Sequence, residues 1–298
     1  MSNARATPGD PGRTSLWVRD FGSVAPAGLI LVTVLVAVYW KILYALVMQW
    51  WSDPNYSHGF LVPLFCAYLV WRQRGVLRAL PRAGSLLGIP VIAAGVIVLL
   101  VGDLGADNFL MRSSLIVVVA GLVLFHLGTA FFRALLFPLG FLFFMVPLPT
   151  ILFFAITFPL QSLAAQQAAW TLETLGVPVL LDGNVIHLAQ LSLGVTEACS
   201  GIRSLISLLA GAVAWAYLLL PGGWPMVVFI AATLPITIIA NAARVVLTGL
   251  IGQYIGVDYA SGFFHEFAGL AIYVFAFVCL LGTFSLLRLV GATRKPAG

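Results

Sequence analysis

Three reactive residues stand at the ends of apolar stretches in the last third of the chain. Cys199 lies in EACSGIRSL, Arg244 in NAARVVLTG and His265 in FFHEFAG. A thiolate is a strong nucleophile, and a nearby imidazolium, guanidinium or positive end of a helix dipole favours its formation. An imidazole can return a proton to a leaving amine, and a guanidinium can stabilise the oxyanion of a tetrahedral intermediate. These residue types indicate nucleophilic catalysis by a cysteine.

Further polar residues accompany these three. Arg203 follows Cys199 by one helical turn, and Asn241 lies one turn before the arginine of NAARVVLTG. Polar groups inside a membrane are costly, and they are usually functional or paired. A carboxylate, Glu197, could orient a catalytic partner. We therefore predict that Arg203, Asn241 and Glu197 support the site.

Each of the three reactive residues also has a simpler role. Cys199 could fill apolar space, as we expect of Cys66 and Cys279 inside their helices. Arg244 could be an interface anchor whose side chain extends outward to water. His265 could be an ordinary interfacial histidine. The polar residues around Cys199 favour a catalytic role over a role as a side chain that fills apolar space.

A second histidine motif, SDPNYSHG, leaves two roles open for its histidine. His58 is a rival base in principle, and it could equally anchor this loop together with Asp53 and Tyr56. The histidines and cysteines show no metal-ligand spacing, and no phosphate-binding loop, dinucleotide fingerprint or HExxH motif is found. We therefore predict neither a metal nor a cofactor.

The composition predicts how these residues are positioned. Of 298 residues, 61% are hydrophobic and only 8% are charged, whereas soluble domains carry roughly 25% charged residues. Such a chain must be solvated by lipid, and runs of about 20 apolar residues recur along it, as membrane-spanning helices require. The fold class is therefore an all-α polytopic membrane protein. The net charge of +5 therefore indicates basic residues retained in cytoplasmic loops and not binding to nucleic acid.

Hydrophobicity predicts about eight transmembrane helices. Their approximate limits are Ala25–Val47, His58–Trp71, Leu86–Gly102, Phe109–Leu127, Ala134–Leu152, Gly201–Leu220, Met226–Leu247 and His265–Leu287.

Basic residues occupy alternate connections between these predicted helices. They are Arg5, Arg13, Arg19, Arg72, Arg74, Arg78, Arg82, Arg133, Arg288, Arg294 and Lys295. The opposite loops, WWSDPNYSHG, GDLGADN and GQYIGVDYASGFF, carry acids but no lysine or arginine. Because basic residues are retained in the cytoplasm, we predict that both termini are cytoplasmic. The three reactive residues then share the outer face.

The chain reads as one transmembrane domain, 25–290, between a disordered cytoplasmic tail, 1–24, and a short cytoplasmic tail, 291–298. An extracytoplasmic insertion is expected at about 150–198. Its first part, PLQSLAAQQAAWTLETLG, is typical of an amphipathic helix. The DG pair at Asp182 and Gly183, between β-branched runs, predicts a hairpin.

The three motifs, in this order and on successive apolar stretches, resemble the exosortase family. The similarity continues in DPNYSHGFLVPLFCAYLVWRQR, FPLGFLFFMVPLP and GNVIHL, so that it covers about Ser52 to Gly269. The resemblance implies a polytopic bacterial cysteine transpeptidase. It also implies that Cys199, Arg244 and His265 are the catalytic cysteine, arginine and histidine.

The resemblance further implies the substrate and the cellular setting. Substrates would carry a C-terminal sorting signal made of a short Pro-Glu-Pro motif, a transmembrane helix and a basic cluster. Cleavage near that motif, at the outer face of the inner membrane, would transfer the protein to an unknown acceptor, in a system linked to exopolysaccharide.

Two other function classes remain open from the residues alone. A transporter or flippase of a lipid-linked or polysaccharide precursor would line its pathway with intramembrane polar residues. Transporters place such sites near the midplane between inverted repeats, whereas here the polar cluster lies at one face beside a thiol. A non-catalytic assembly subunit is the other alternative. Replacing Cys199 by serine separates both from an enzyme.

Overall fold

The computed structural model describes residues 21–195, 202–256, 259 and 263–290, with side chains from residue 28 onward and excluding 263–268. The chain divides into two compact units, Met1–Ala45 and Leu46–Gly298. The first helix, α1 (Phe21–Ser52), runs through the end of the first unit into the second. The predicted tail 1–24 lies mostly outside the described residues, and the predicted tail 291–298 lies wholly outside them.

The second unit contains further helices in close succession. They are α2 (Leu61–Arg72), α3 (Arg74–Ala79), α4 (Gly88–Leu104), α5 (Asn108–Leu127), α6 (Thr129–Phe141), α7 (Thr150–Thr174), α8 (Ile202–Leu219), α9 (Trp224–Ala231), α10 (Thr233–Tyr254) and α11 (Phe263–Leu289). Two 3₁₀ turns, Ser57–Phe60 and Leu142–Met145, precede α2 and follow α6.

The predicted fold class is confirmed. Within the described residues, six segments are long and apolar enough to cross a membrane: Gly28–Ser52, Asn108–Leu127, Thr150–Thr174, Ile202–Leu219, Trp224–Tyr254 and Gly269–Leu289. Two shorter apolar helices, Gly88–Leu104 and Thr129–Met145, accompany them. The protein is thus a multi-pass helical membrane protein with a small β-element.

The second predicted transmembrane helix, His58–Trp71, is wrong in its extent. Its only α-helical part is α2, with 12 residues, which rise about 18 Å and do not cross a hydrocarbon core of about 30 Å. The residues before it form the 3₁₀ turn Ser57–Phe60 and an irregular loop from Asp53. The predicted transmembrane helix is therefore a 3₁₀ turn at positions 58–60 followed by a short α-helix.

Helix α7 differs from the prediction in start, length and character. The fifth predicted transmembrane helix ends at Leu152 and the amphipathic helix starts at Pro159, but one continuous helix runs over Thr150–Thr174. Its buried side consists mainly of small residues and includes Gln161, which is 6% exposed. Large apolar side chains such as Trp170 point outward. Because Gln166 and Glu173 are exposed together with such apolar side chains, the helix lacks the separate polar and apolar faces of the predicted amphipathic helix.

The β-element is larger than predicted. Strands β1 (Leu180–Asp182), β2 (Val185–His187) and β3 (Ser192–Gly194) form an antiparallel sheet in the order β1-β2-β3. The predicted hairpin is present, with Asp182 paired to Val185, so that Gly183 and Asn184 form the turn. Gly183 has a φ of +59°, which glycine adopts without steric cost. The third strand was not predicted.

Helices α4 and α5 form a tightly packed pair because glycines line their contact. A Cβ added at Gly95 would lie 2.6 Å from a methyl carbon of Val118, and one at Gly88 would lie 2.5 Å from the backbone nitrogen of Phe125. Small residues let backbones approach closely in a membrane. This pair therefore depends on glycine at these positions.

Three buried apolar clusters fix the elements around α8 and α10. The first joins Trp50, near the end of α1, and Tyr56, in the loop before α2, to α7 and to the start of α8. The second joins α8, α9, α10 and α11. The third packs the sheet on α7 and on Val245 of α10. The start of α8, the end of α10 and the sheet are thus held together.

Candidate active site

The three motif-bearing helices meet at a small cavity whose lining is partly polar and partly apolar. Ser204 of α8, Asn241 and Arg244 of α10, and Gly269 and Tyr273 of α11 line it. Its volume is about 20 Å³, counted as the space open to the centre of a water molecule, which is room for about one water. Each of EACSGIRSL, NAARVVLTG and HEFAG therefore contributes residues to the same cavity.

Arg244 is half-buried at this cavity and lies against the backbone of α11. A Cβ built on Gly269 would be 3.6 Å from Cζ and from Nη2 of Arg244. The neighbouring Asn241, one turn earlier, is only 5% exposed. Thr248 donates a hydrogen bond of 2.9 Å from its hydroxyl to the Arg244 carbonyl oxygen, farther along the same helix. Asn241 and Arg244, one turn apart on α10, thus both line the cavity.

The other predicted site residues are located only by their positions along the chain. Cys199 and Glu197 lie in the segment 196–201, outside the described residues. His265 is the third residue of α11, and its side chain is likewise outside the described set. Because His265 precedes Gly269 by four residues in one helix, the two positions share a face, about 6 Å apart along the axis. Cys199 precedes the cavity residue Ser204 by five residues.

Arg203 does not line the cavity. It is exposed, and its Nε donates a hydrogen bond of 3.3 Å to Oδ1 of Asn55, in the loop before α2. Arg203 thus contacts the DPNYSHG motif and not the residues of the cavity. This contact joins the first turn of α8 to a loop that is 148 residues away in the chain.

His58 makes a second contact between the same loop and α8. Its Nε2 lies 3.1 Å from the carbonyl oxygen of Phe144, and its Nδ1 lies 3.4 Å from the hydroxyl of Ser207. Since a carbonyl can only accept, Nε2 carries the hydrogen, and in the neutral ring Nδ1 accepts from Ser207. Burial lowers the pKa of His58, which favours that neutral ring. Both ring nitrogens are engaged, so the geometry supports the anchoring role of His58 and not its role as a rival base.

The loop itself is held rigidly by buried aromatic residues. Trp50 donates a hydrogen bond of 2.9 Å from its indole nitrogen to the carbonyl oxygen of Met145. A Cβ at Gly59 would fall on that indole ring, so only glycine fits beside it. Tyr56 is 6% exposed, and burial raises its pKa. The DPNYSHG motif is therefore a packed structural unit.

A buried arginine, Arg112, was missed by sequence reasoning. It lies near the start of α5, is 5% exposed, and donates from Nη1 to Oε1 of Gln49 over 2.6 Å. The signal was an arginine in the middle of LMRSSLIV, within an apolar helix, where charged residues usually have a function or a partner. It lies close enough to Tyr56 to interact electrostatically. The loop before α2 is thus backed by a positive charge.

Neither of the two described cysteines shares the character expected of Cys199. Cys66 is buried, and its thiol donates to the carbonyl oxygen of Pro138 over 3.3 Å. Cys279 is partly buried in α11. In the part of the chain that the structure describes, no three His, Cys, Asp or Glu side chains are grouped to hold a metal ion.

Comparison with known families agrees with this arrangement. The family model described as "Transmembrane exosortase (Exosortase_EpsH)" matches residues 50–282. The chain belongs to the transmembrane exosortase family. No match was found among curated proteins or among solved structures.

Membership of the exosortases settles the general role. Exosortases are membrane transpeptidases of the cysteine type that sort proteins, and they act on protein substrates in the membrane. The match begins at residue 50, at the end of α1 and just before the loop that carries Asn55 and His58, and runs into α11. It therefore includes every residue of the cavity and of the contacts that surround it.

Proposed function

We propose that this exosortase cleaves C-terminal Pro-Glu-Pro sorting signals at the outer face of the inner membrane, using Cys199 as nucleophile. It then transfers the shortened protein to an acceptor. The observation that carries the proposal is the convergence at one cavity of the helices bearing the three motifs. Residues of all three motifs share that cavity although they are spread over 66 positions of the chain, from 204 to 269.

The chemistry divides into two acyl transfers. The Cys199 thiolate attacks the scissile carbonyl carbon, the C–S bond forms, and the carbonyl electron pair moves onto oxygen. Arg244 stabilises this oxyanion through its directed N–H groups. When the oxyanion collapses, the C–N bond breaks, and the leaving amine takes a proton from the His265 imidazolium. The product of this half is a thioester on Cys199.

The second transfer reverses these roles. The acceptor's nucleophilic group attacks the thioester carbon and gives its proton to the neutral His265. Collapse of the second oxyanion breaks the C–S bond and releases the Cys199 thiolate. Asn241 supports Arg244 from the same face of α10, and Glu197 is proposed to orient a partner. Arg203 supports the start of α8 through its contact with Asn55.

The distribution of basic residues supports an outward-facing site. At the far end of α8, Tyr217 accepts a hydrogen bond of 3.0 Å from Nε2 of Gln73. Gln73 stands between two arginines, and Arg74 lies 4.3 Å above the ring of Trp71. Tyr217 is 13 residues beyond Ser204, which is about 20 Å along the helix. The cavity and the basic cluster thus lie at opposite ends of α8, and basic residues are retained in the cytoplasm.

The contacts of α7 fit the same orientation. Near its start, Phe153 lies 6.5 Å, ring to ring, from Tyr56 in the loop that bonds to the start of α8. Near its end, Leu172 contacts the backbone of α10 at Gly249, beyond Arg244. Both ends of α7 therefore touch elements at the cavity end of α8. We propose that α7 belongs to the outer insertion, with its apolar side against lipid.

A substrate with its own transmembrane helix suits this site. Such a helix would lie beside the enzyme in the same membrane, with its basic tail in the cytoplasm and its outer flank level with Cys199. Confinement at a fixed depth supplies much of the positioning that catalysis requires. A soluble peptide would gain nothing from this confinement.

The test is the fate of a tagged precursor ending in Pro-Glu-Pro, an apolar helix and a basic tail. When it is co-expressed with this chain, we expect it to be shortened just outside the membrane, as followed by gel and mass spectrometry. With Cys199→Ala or Cys199→Ser the precursor should persist at full length. The matched control is Cys66→Ala, which should process normally because Cys66 only fills buried space. Unchanged processing by the Cys199→Ala chain would refute the proposed nucleophile and with it this function.

A further inference from the structure

Among the residues that the structure describes, no strand pairs with the outer edge of β3. In the pairing of β3 with β2, Leu193 lies opposite Ile186. The Val195 nitrogen donates a hydrogen bond of 2.9 Å to the Asn184 oxygen, so these two residues are a hydrogen-bonded pair of the ladder. Because hydrogen-bonded and non-hydrogen-bonded pairs alternate in an antiparallel ladder, Leu193 directs its N–H and C=O toward β2. Ser192 and Gly194 direct theirs to the opposite side. Strand β3 is the last in the sheet, so this side is its free edge.

The free edge is accessible within the described part of the chain. Ser192 and Gly194 are exposed, and their backbone N–H and C=O groups bond to no described residue. Helix α7 packs against β1 and β2. Rows of unpaired backbone groups on an edge strand are templates for pairing with another extended segment. Within the described residues, the β3 edge is thus available to a partner.

The free edge also lies next to the proposed site. The side chain of Leu193 is 3.4 Å from where a Cβ on Gly249 of α10 would be, and Gly249 is five residues beyond Arg244. Along the chain, Gly194 is followed after five residues by Cys199, so the two Cα atoms are at most about 17 Å apart. An extended peptide of about five residues on this edge therefore reaches the thiol.

We infer that the free edge of β3 receives the substrate's extended segment outside the membrane as an added β-strand and so directs its scissile bond to Cys199. This inference rests on the proposed function. Strand addition gives affinity through main-chain hydrogen bonds, with little demand on side chains. A sorting enzyme that must accept many passenger proteins needs that kind of recognition.

The chemistry of the Pro-Glu-Pro signal agrees with edge pairing in one register only. Proline cannot donate to a ladder, and it is tolerated in an edge strand where its nitrogen faces away from the partner. In an extended Pro-Glu-Pro segment both prolines point to one side and the glutamate points to the other. The glutamate backbone therefore bonds to β3, and the prolines face away from the sheet. They also prevent further strands from adding beyond the substrate.

Disulfide scanning tests the pairing directly. Ser192→Cys is introduced into the Cys199→Ala chain, and single cysteines are placed along the ten or so residues of the precursor that precede its transmembrane helix. We expect cross-links at every second position, because alternate residues of a paired strand share a face. Asp182→Cys, equally exposed on β1, is the matched control and should cross-link to none. Cross-links without alternation, equal linking to β1, or links only between two copies of the enzyme would overturn the inference.

A kinetic test separates this inference from the proposed function. Ser192→Pro and Ser192→Ala both remove the hydroxyl that lies 2.8 Å from Nδ1 of His187, but only Ser192→Pro also removes the free N–H, so Ser192→Ala is its matched control. In proteoliposomes we expect Ser192→Pro to raise KM about 2- to 12-fold with kcat retained. This factor corresponds to the net free energy of one hydrogen bond. Ser192→Ala should match the parent chain. A normal KM in Ser192→Pro would overturn docking at the β3 edge and leave the proposed function intact. Absence of processing by the parent chain would overturn the proposed function itself.

Discussion

Gly269 offers the sharpest test of where the Arg244 guanidinium must lie. A methyl group at this position would sit 3.6 Å from Cζ and Nη2 of Arg244, which is an ordinary van der Waals contact. Gly269→Ala should therefore leave the guanidinium in place. It should also stabilise α11 by up to about 1 kcal/mol, because alanine is the better helix former.

Gly269→Leu should act differently. It adds three further carbons beside a cavity of only about 20 Å³, which holds about one water. The added carbons have to fill the cavity, displace the guanidinium, or both. A shift of about 1 Å in a positioned group costs on the order of 10² in rate, equivalent to about 2.7 kcal/mol in the activation barrier. We expect processing to fall by about this factor.

The assay compares initial rates of conversion of a pulse-labelled precursor in membranes that hold equal amounts of each variant. Thermal unfolding in detergent reports whether the variants fold. The expected order is Gly269→Ala close to the parent chain and Gly269→Leu far below it, with both folded. If a folded Gly269→Leu chain processed precursor at the parent rate, Arg244 would not act from this position.

Three other predictions follow from described contacts. Arg244→Lys lacks the planar fork, so its processing rate should fall about 10²–10³-fold at normal membrane abundance; near-normal turnover would reduce Arg244 to an anchor. A membrane-impermeant thiol reagent applied from outside should label Cys199, though slowly, and should spare Cys66 and Cys279; labelling of Cys199 only from the cytoplasm would contradict the orientation. Burial lowers the pKa of His58, so the neutral ring should make its full contribution to the free energy of unfolding above about pH 6.5. This contribution should be lost as pH drops through the lower folded-state pKa. His58→Gln should flatten this acid dependence of Tm, and an unchanged acid limb would exclude His58 as its source.

Sequence reasoning succeeded where a local pattern has one physical solution. A chain with 8% charged residues must be solvated by lipid, and residues one turn apart on a helix must share a face. The polytopic fold and the shared face of Asn241 and Arg244 on α10 follow from these two facts. The hairpin at Gly183 was also predictable, since few residues other than glycine tolerate its positive φ.

Contacts between distant segments were not predictable in the same way. Nothing in the pattern around His58 indicates that its ring meets Ser207, 149 residues later, because no periodicity encodes such a pairing. The continuity of α7 was missed because Pro159 is a helix breaker in most contexts. Packing of the small-residue face around Ala165 and Ala168, both 0% exposed, compensates for the single hydrogen bond that this proline removes.

The contact between Asn55 and Arg203 also ties the assembly of the site to the synthesis of the chain. The two residues are 148 positions apart, and translation at 5–20 residues per second separates their appearance by about 7–30 s. During that interval the loop before α2 is in the membrane while its partners on α8 have not yet been synthesised. Arg203, the partner of Asn55, and Ser207, one of the two partners of His58, arrive only with α8, and the helices carrying Arg244 and His265 come later still. A nascent chain therefore has no assembled catalytic centre with which to cut its neighbours, and a prematurely terminated one leaves a membrane fragment whose unsatisfied polar groups mark it for degradation.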